Sequence, residues 1–341
     1  LFRSAAYPCE SYGQGRINPA YFYGIFDPND MRRDVSITMT GSNGKGVEKL
    51  IPFVPNSKAE GGGLTLNKWD ENRQANPWVA AQRKSGINGP YMRMSEVYLG
   101  YAEVCAALGD VVTGKQYLKT VRERSFPQGL ADTDGFIASF GNDLVRAIIE
   151  ERGFEYAGEG DRRWTLIRSG YLPEDIKRIK DMTKAMMDGL ATKGYYEFEN
   201  GNIISAYIWT KLVDAKTIYG HRLTAQCPMD KVNDPVLYPG WRGQKDNWEE
   251  MGLNYGNSAP ATNLAIKGLF EIVSEEEAAS LESQGYAKVN WGIDLVDYRD
   301  EYDKYLFWDY DYVSAPIYLW PFTPNVMAAG GFTNGYGFKQ E

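Results

Sequence analysis

The sequence predicts a mainly α-helical protein in which helical hairpins are joined by long irregular loops and small β-hairpins. Two observations support this prediction. Apolar residues recur at helical spacing through the middle of the chain, and Gly, Pro and Asn interrupt the sequence on both sides of that region. We therefore divide the chain into an irregular, loop-rich segment (1–88), a helical core (89–170) and a loop-rich segment that includes the tail (171–341).

The helical core opens with a predicted pair of antiparallel helices, residues 91–109 and 113–124. Apolar side chains of the first helix share one face, and Gly109 followed by Asp110 ends it. Thr113 is suited to cap the second helix. This hairpin is of the tetratricopeptide kind, which cannot bury its own apolar face and needs stacking partners. The side chains that we expect to be buried include Val97, Tyr101 and Leu108.

A charged seam follows in residues 144–168. Their sequence is LVRAIIEERGFEYAGEGDRRWTLIR, in which Gly158 and Gly160 favour two helices or one bent helix. Acidic and basic side chains alternate here, which is typical of a structural ion-pair network. A catalytic carboxylate pair is the alternative. The residues expected to form the network are Glu151, Glu155, Arg162 and Arg163.

Composition and charge argue against several function classes. The formal net charge is −8 at pH 7, whereas nucleic-acid binding needs a basic surface. The three Cys are far apart, and no apolar run is long enough to span a membrane. His221 is the single His, so a metal site or a Ser-His-Asp triad is poorly supported. We expect no metal, no cofactor and no catalytic residue.

Aromatic residues make up 14% of the chain, and several of them concentrate in one loop. A sugar presents an apolar face to aromatic rings and hydroxyl groups to amide and charged side chains. The segment 238–255 offers both in a stretch without helical or strand periodicity, as binding loops do. The residues that we predict to bind a ligand are Tyr238, Trp241, Arg242, Asp246, Asn247 and Trp248. A second group of candidates contains Tyr195, Tyr196 and Trp209. Packing onto the helices is the alternative role for the rings of the loop.

Three blocks of the helical core, in their order and spacing, resemble the C-terminal half of the SusD/RagB proteins: RMSEVYLGYAEVCAALGD, YLKTVRER and IIEERGFEYAGEGDRRWTLIRSG. The tail YLWPFTPNVMAAGGFTNGYGF is similar to the closing stretch of that family. Two positions depart from its pattern. Thr165 stands where the family usually has Asp, and Phe322-Thr323-Pro324 replaces the usual Ile-Pro. Both departures fall at structural positions, so the expected fold is unchanged.

The resemblance implies a function and a location. SusD/RagB proteins are outer-membrane lipoproteins of Bacteroidetes that bind nutrients, mostly glycans, beside a TonB-dependent transporter of the SusC kind. We therefore expect a surface-exposed protein whose partners are an oligosaccharide, or another nutrient oligomer, and a SusC-like transporter. The resemblance also implies that residues 1–341 are the C-terminal portion of such a protein. We expect further helical repeats and the lipid anchor to lie on an N-terminal half outside this sequence. A carbohydrate-active hydrolase and a helical-repeat adaptor for another protein are the alternatives.

Overall fold

A computed structural model describes residues 17–42, 48–51, 53, 63–66, 68, 89–214, 262–297, 299, 324–331 and 333. Within these residues the protein is mainly helical, as the sequence predicts. The helices are α1 (Pro19–Gly24), α2 (Arg32–Ser36), α3 (Met94–Ala107), α4 (Val111–Glu123), α5 (Thr133–Ala138), α6 (Leu144–Glu155), α7 (Asp161–Ser169), α8 (Leu172–Lys193), α9 (Glu275–Ser283), α10 (Gly292–Asp297) and α11 (Pro324–Gly330). Among these described helices, none is long and apolar enough to cross a membrane.

The strands form small antiparallel sheets. They are β1 (Ile37–Thr38), β2 (Thr40–Ser42), β3 (Glu48–Leu50), β4 (Thr65–Leu66), β5 (Tyr195–Glu197), β6 (Ile203–Ser205), β7 (Tyr207–Asp214), β8 (Thr262–Lys267) and β9 (Ala287–Asn290). Strand β1 pairs with β4, β2 with β3 and β5 with β6, while β7 lies between β8 and β9. The β5–β6 hairpin aligns Glu197 with Ile203 next to its turn. This hairpin directly follows α8.

Helices α3 and α4 form the hairpin that the sequence predicts. Gly109 has a φ of +87°, a conformation that favours glycine and that turns the chain between the two helices. The predicted cap is wrong, because the N-cap of α4 is Asp110 and not Thr113. The Asp110 carboxylate accepts a hydrogen bond of 3.1 Å from the backbone N–H of Thr113. Helix α4 therefore begins earlier than predicted, at Val111.

The predicted burial of Val97, Tyr101 and Leu108 is wrong. Their exposed fractions are 51%, 50% and 82%. Close packing explains the difference: a Cβ atom added to Gly114 of α4 would lie 3.0 Å from the Ala102 carbonyl oxygen, so there is little space where the two helices meet. Ala102 lies at this close approach, and the face of α3 that carries it, with Leu99, packs in the same apolar cluster as Leu118 and Val121 of α4. The buried residues of α3 are Ser95, Leu99, Ala102 and Cys105.

Helix α6 lies at the centre of the helical region and contacts α2, α3, α4, α5 and α7. Its apolar residues Ile148 and Ile149 are buried together with charged ones, including Glu151. The chain leaves α6 and enters α7 through positive φ angles of +80° at Gly158 and +88° at Gly160. Of the two predicted possibilities, the seam is therefore two helices.

Helix α8 connects the helical region to the strands. Pro173 lies in its first turn, where a missing backbone N–H leaves no hydrogen bond unmade. Met186 and Leu190 of this helix are buried in a large apolar cluster. The same cluster contains Tyr23 of α1 and Trp291, whose Nε1 donates a hydrogen bond of 2.9 Å to the Tyr23 hydroxyl. The main core therefore joins α1, α8 and the segment before α10.

Truncations on α3 distinguish the observed packing from the predicted one. Leu99 is fully buried, so Leu99→Ala should leave a cavity and lower the free energy of unfolding by about 2–5 kcal/mol. Val97→Ala is the matched control and should change that free energy by about 0.5 kcal/mol or less, since Val97 is half exposed. Urea unfolding followed by circular dichroism measures both changes. A larger loss for Val97→Ala than for Leu99→Ala would contradict the observed face.

Candidate functional site

The predicted sugar-binding loop lies outside the residues that the structure describes. Its six candidates therefore stay predictions: Tyr238, Trp241, Arg242, Asp246, Asn247 and Trp248. In the second group, Tyr195 and Tyr196 are half-buried on β5, whereas Trp209 on β7 is only 6% exposed. The Trp209 ring packs in a small cluster with Ala265, Leu281 and Tyr286, so most of it contributes to the core beside the sheet.

One groove in the described part of the chain has the size and lining of a ligand site. Its volume is about 890 Å³, within the range of roughly 300–1,000 Å³ that ligand pockets occupy. The described lining comes from the end of α1, Arg122 of α4, the region of α5, Glu150 and Phe154 of α6, α8 as far as Ala185 and the β5–β6 hairpin. Tyr196, a second-choice candidate, is among the lining residues.

Two aromatic pairs line the groove. Phe136 and Phe140 meet edge to face at the α5 region, with ring centroids 5.2 Å apart. Tyr196 and Phe198 form a second edge-to-face pair on the hairpin, at 4.8 Å. Phe136, Phe140 and Tyr196 are half-buried, so part of each side chain stays accessible. Rings held in this way can pack against the apolar face of a sugar or another flat ligand.

Charged side chains stand beside these rings, and the protein pairs many of them internally. Arg178 on α8 lies 3.2 Å from Glu150 and 2.5 Å from Asp175. Lys177 pairs with Asp181 one helical turn further along. The groove therefore offers rings and hydrogen-bonding groups whose charges are largely compensated within the protein.

Glu151 on α6 is fully buried between two arginines. Arg32 Nη1 lies 2.6 Å from Glu151 Oε1, and Arg122 Nη1 lies 3.0 Å from Oε2. Arg122 is itself 3% exposed and lines the groove. Its guanidinium carbon lies 3.9 Å from the centroid of the Phe136 ring, a cation–π contact. Arg122 therefore connects Phe136, a lining residue of the groove, to Glu151 of α6.

Glu155, one turn further along α6, is held by three arginines. Its carboxylate lies 3.2 Å from Arg32, 2.7 Å from Arg93 and 2.5 Å from Arg124. Asp30 lies 2.7 Å from Arg32 and receives hydrogen bonds from its guanidinium group, which fixes the orientation of that group. The ion pairs of the two glutamates therefore join α2, α4 and the residue before α3 to α6.

Arg162 on α7 belongs to a second cluster of ion pairs. Its Nη2 donates hydrogen bonds of 2.9 Å to Glu150 and 2.8 Å to Asp175. Its Nη1 donates one of 3.2 Å to the Ile149 carbonyl oxygen. Arg163, the other predicted member on α7, is half-buried. This second cluster connects α6 and α7 to the first turn of α8.

Sequence analysis missed the arginines that hold the glutamates, which are Arg32, Arg93, Arg122 and Arg124. Arg32 and Glu155 are 123 residues apart, so no local spacing reveals their contact. A signal was present in the Asp-x-Arg run at residues 30–32, where the acidic residue orients the basic one. The groove was missed for the same reason, because its lining comes from segments spread over residues 24–200.

The arginines keep Glu155 ionised. Burial alone would raise the pKa of its carboxyl group, but Arg32, Arg124 and Arg93 outweigh burial and lower that pKa to about 2. The pKa of Asp175 is lowered as well, because its two arginine partners prevail over burial. Carboxyl groups in this state hold no proton to donate near neutral pH. They are therefore suited to stabilise the fold and not to act as general acids.

The buried position of Glu155 predicts a large cost for its neutralisation. Glu155→Gln should lower the free energy of unfolding at pH 7 by about 3–5 kcal/mol, because the arginines lose their charged partner. The folded pKa of about 2 lies below the ordinary value of 4.5. The stabilisation is therefore complete above pH 4.5 and is lost as the pH falls toward 2, so the difference between the two proteins should shrink over that window. Urea unfolding across this pH range measures it.

Glu103→Gln provides the matched control for this experiment. Glu103 lies 2.5 Å from Arg168 in an ion pair at the surface, where solvent screens the charges. Its loss should cost less than about 1 kcal/mol at pH 7. Equal losses in the two variants would contradict the role of Glu155 as a buried anchor.

Comparison with known proteins identifies the family of the chain. The model of the SusD family matches residues 10–321. A SusD-like protein of Formosa agariphila is 28% identical over 160 residues, which are 47% of this chain and 26% of that protein. The chain thus spans about a quarter of the length of this relative. No solved structure shows a significant match. Because the family match extends over nearly the whole sequence, the chain belongs to the SusD family.

Proposed function

We propose that the protein binds glycans or related nutrient oligomers at the cell surface and delivers them to a TonB-dependent outer-membrane transporter of the SusC kind. The family match over residues 10–321 carries this proposal. The geometry supports the binding step, since the groove places accessible rings beside hydrogen-bonding side chains. In this proposal the whole protein lies on the outer face of the outer membrane and is held there by an N-terminal lipid anchor.

Binding without turnover fits the chemistry of the two buried glutamates of the network on α6. A glycoside hydrolase needs two of them across the scissile bond, one of which holds a proton near neutral pH. Glu151 and Glu155 are instead enclosed by arginines, and the pKa of Glu155 is lowered to about 2. This pairing supports our proposal that the protein binds its ligand without turnover.

Calorimetric titration with a panel of oligosaccharides tests the binding step. We expect weak binding of at least one of them and no release of free sugars. Trp241→Ala or Trp248→Ala should weaken binding roughly thirtyfold, because losing one ring from a small contact costs about 2 kcal/mol. Trp164→Ala is the matched control, since Trp164 is 55% exposed on α7 and belongs to neither candidate site.

The same titrations can contradict the proposal. Unchanged binding together with reduced stability in the two Trp variants would show that these rings hold the loop onto the helices. Release of free sugars by the wild-type protein would show that it hydrolyses glycans instead of only binding them. Failure to bind any oligosaccharide of the panel would contradict the proposal that the protein binds glycans.

The transporter step needs the full-length protein. Expressed together with its SusC-like transporter, the protein should copurify with it from detergent-solubilised outer membranes. Deleting the protein should slow uptake of the bound oligomer while leaving the amount of transporter unchanged. Uptake at the wild-type rate after the deletion would contradict delivery.

A further inference from the structure

We propose that the groove lined by α5, α8 and the β5–β6 hairpin is a binding site for an uncharged oligosaccharide, in addition to the loop residues predicted from the sequence. The proposal rests on the proposed function for the ligand being a glycan. To that function it adds the location of the site and the claim that the ligand carries no charge. Three features of the groove carry it: the position of the rings, the pairing of the cations and the pairing of the carboxylates.

The rings of the groove come from two different elements. Phe136 and Phe140 belong to the α5 region, and Tyr196 belongs to β5, while polar residues of α8 complete the lining. An oligosaccharide presents groups that match this lining, since each sugar unit has an apolar face and an edge of hydroxyl groups. An entirely apolar ligand would leave the polar lining without hydrogen bonds, at a cost in free energy. The lining therefore fits a chain of sugar units better than a lipid.

The cations of the groove are already engaged by carboxylates of the protein. Arg122 binds Glu151 at 3.0 Å, Arg178 binds Asp175 at 2.5 Å, and Lys177 pairs with Asp181. Recognition of a uronate or sulfate group needs an Arg or Lys that can turn its charge toward the ligand. In total six carboxylates and three cations line the groove, a formal excess of three negative charges. An anionic glycan would therefore meet net repulsion, and of the described lining residues only the exposed Lys177 could turn its charge toward it.

Most carboxylates of the groove are engaged as well, which disfavours a basic peptide. Asp132 accepts a hydrogen bond of 2.8 Å from the Gly135 backbone N–H, and Asp27 accepts one of 2.8 Å from that of Asn29. Glu150 lies 2.9 Å from Arg146. Lysine or arginine side chains of a peptide would share these carboxylates with the donors that already bind them. A ligand without charge can use the groove as it stands.

A pair of substitutions on α8 tests whether the groove is used. Ala185 is exposed and lines the groove, so the indole ring in Ala185→Trp fills that space without entering the core. Ala191 is exposed on the same helix outside the groove lining, which makes Ala191→Trp the matched control. Calorimetry uses neutral hexasaccharides of glucose, mannose, xylose or galactose. We expect Ala185→Trp to weaken binding at least about tenfold and Ala191→Trp to leave it within about twofold of wild type.

A ring deletion gives a second readout at the same site. Tyr196→Ala should weaken binding of the same hexasaccharide by about tenfold, the scale of one lost aromatic contact. The thermal transition of each variant is recorded in parallel, so that unfolding is not read as lost binding. Because the ligand has no charge, its affinity should be the same at low and high salt.

Each outcome bears on a different part of the proposal. Weaker binding in Ala185→Trp and Tyr196→Ala, with binding kept in Ala191→Trp, supports the groove. Binding that is unchanged in both groove variants overturns the site and leaves the proposed function intact. Tighter binding of a uronate or sulfated hexasaccharide than of a neutral one, or competition by a hexalysine peptide, overturns the ligand class. If the wild-type protein binds no glycan, the site and the proposed function both fail.

Discussion

The structure depends on the burial of two carboxylates of α6 among arginines. Glu151 is 0% exposed and Glu155 is 2% exposed. Carboxylates at such depth stabilise a fold only when they stay paired, and Arg32 serves both of them at once. Because Arg122 approaches Glu151 from α4, and Arg93 reaches Glu155 from the residue before α3, these elements are positioned around α6 by their charges as well as by apolar packing.

The ion pairs also determine the wall of the groove. Arg122 binds Glu151 through one nitrogen and places its guanidinium plane against Phe136, an accessible ring of the groove. On the other side, Glu150 of α6 is held by Arg178, a lining residue of α8. A change in either ion pair would therefore move a wall of the groove. The residues that stabilise the fold and those that shape the site form one connected set.

Local patterns predicted the elements that depend on a few neighbouring residues. The α3–α4 hairpin and the break at Gly158 and Gly160 both follow from positive φ and apolar spacing. The inward face of α3 did not follow, because apolar residues occur on more than one face of this helix and their spacing does not show which face meets a neighbouring helix. The partners of Glu155 and the lining of the groove also escaped prediction, since they come from segments far apart in the sequence. Among the sequence candidates that the structure describes, Tyr196 is the one that lines the groove.

The order of the paired residues along the chain has a consequence for how the protein is made. Arg32, Arg93, Arg122 and Arg124 all precede Glu151 and Glu155, so during synthesis the ribosome releases the four basic residues before the two acidic ones. The arginine partners of the α6 carboxylates are therefore already synthesised when α6 is made, so no later residue is needed to pair these charges. Contacts between segments 123 residues apart slow refolding from the denatured state, because the two segments must find each other while the rest of the chain is also unfolded. During synthesis the chain emerges from its N-terminus, and N-terminal domains generally fold first. The arginines are then available before the glutamates, which reduces the number of arrangements that the chain must sample.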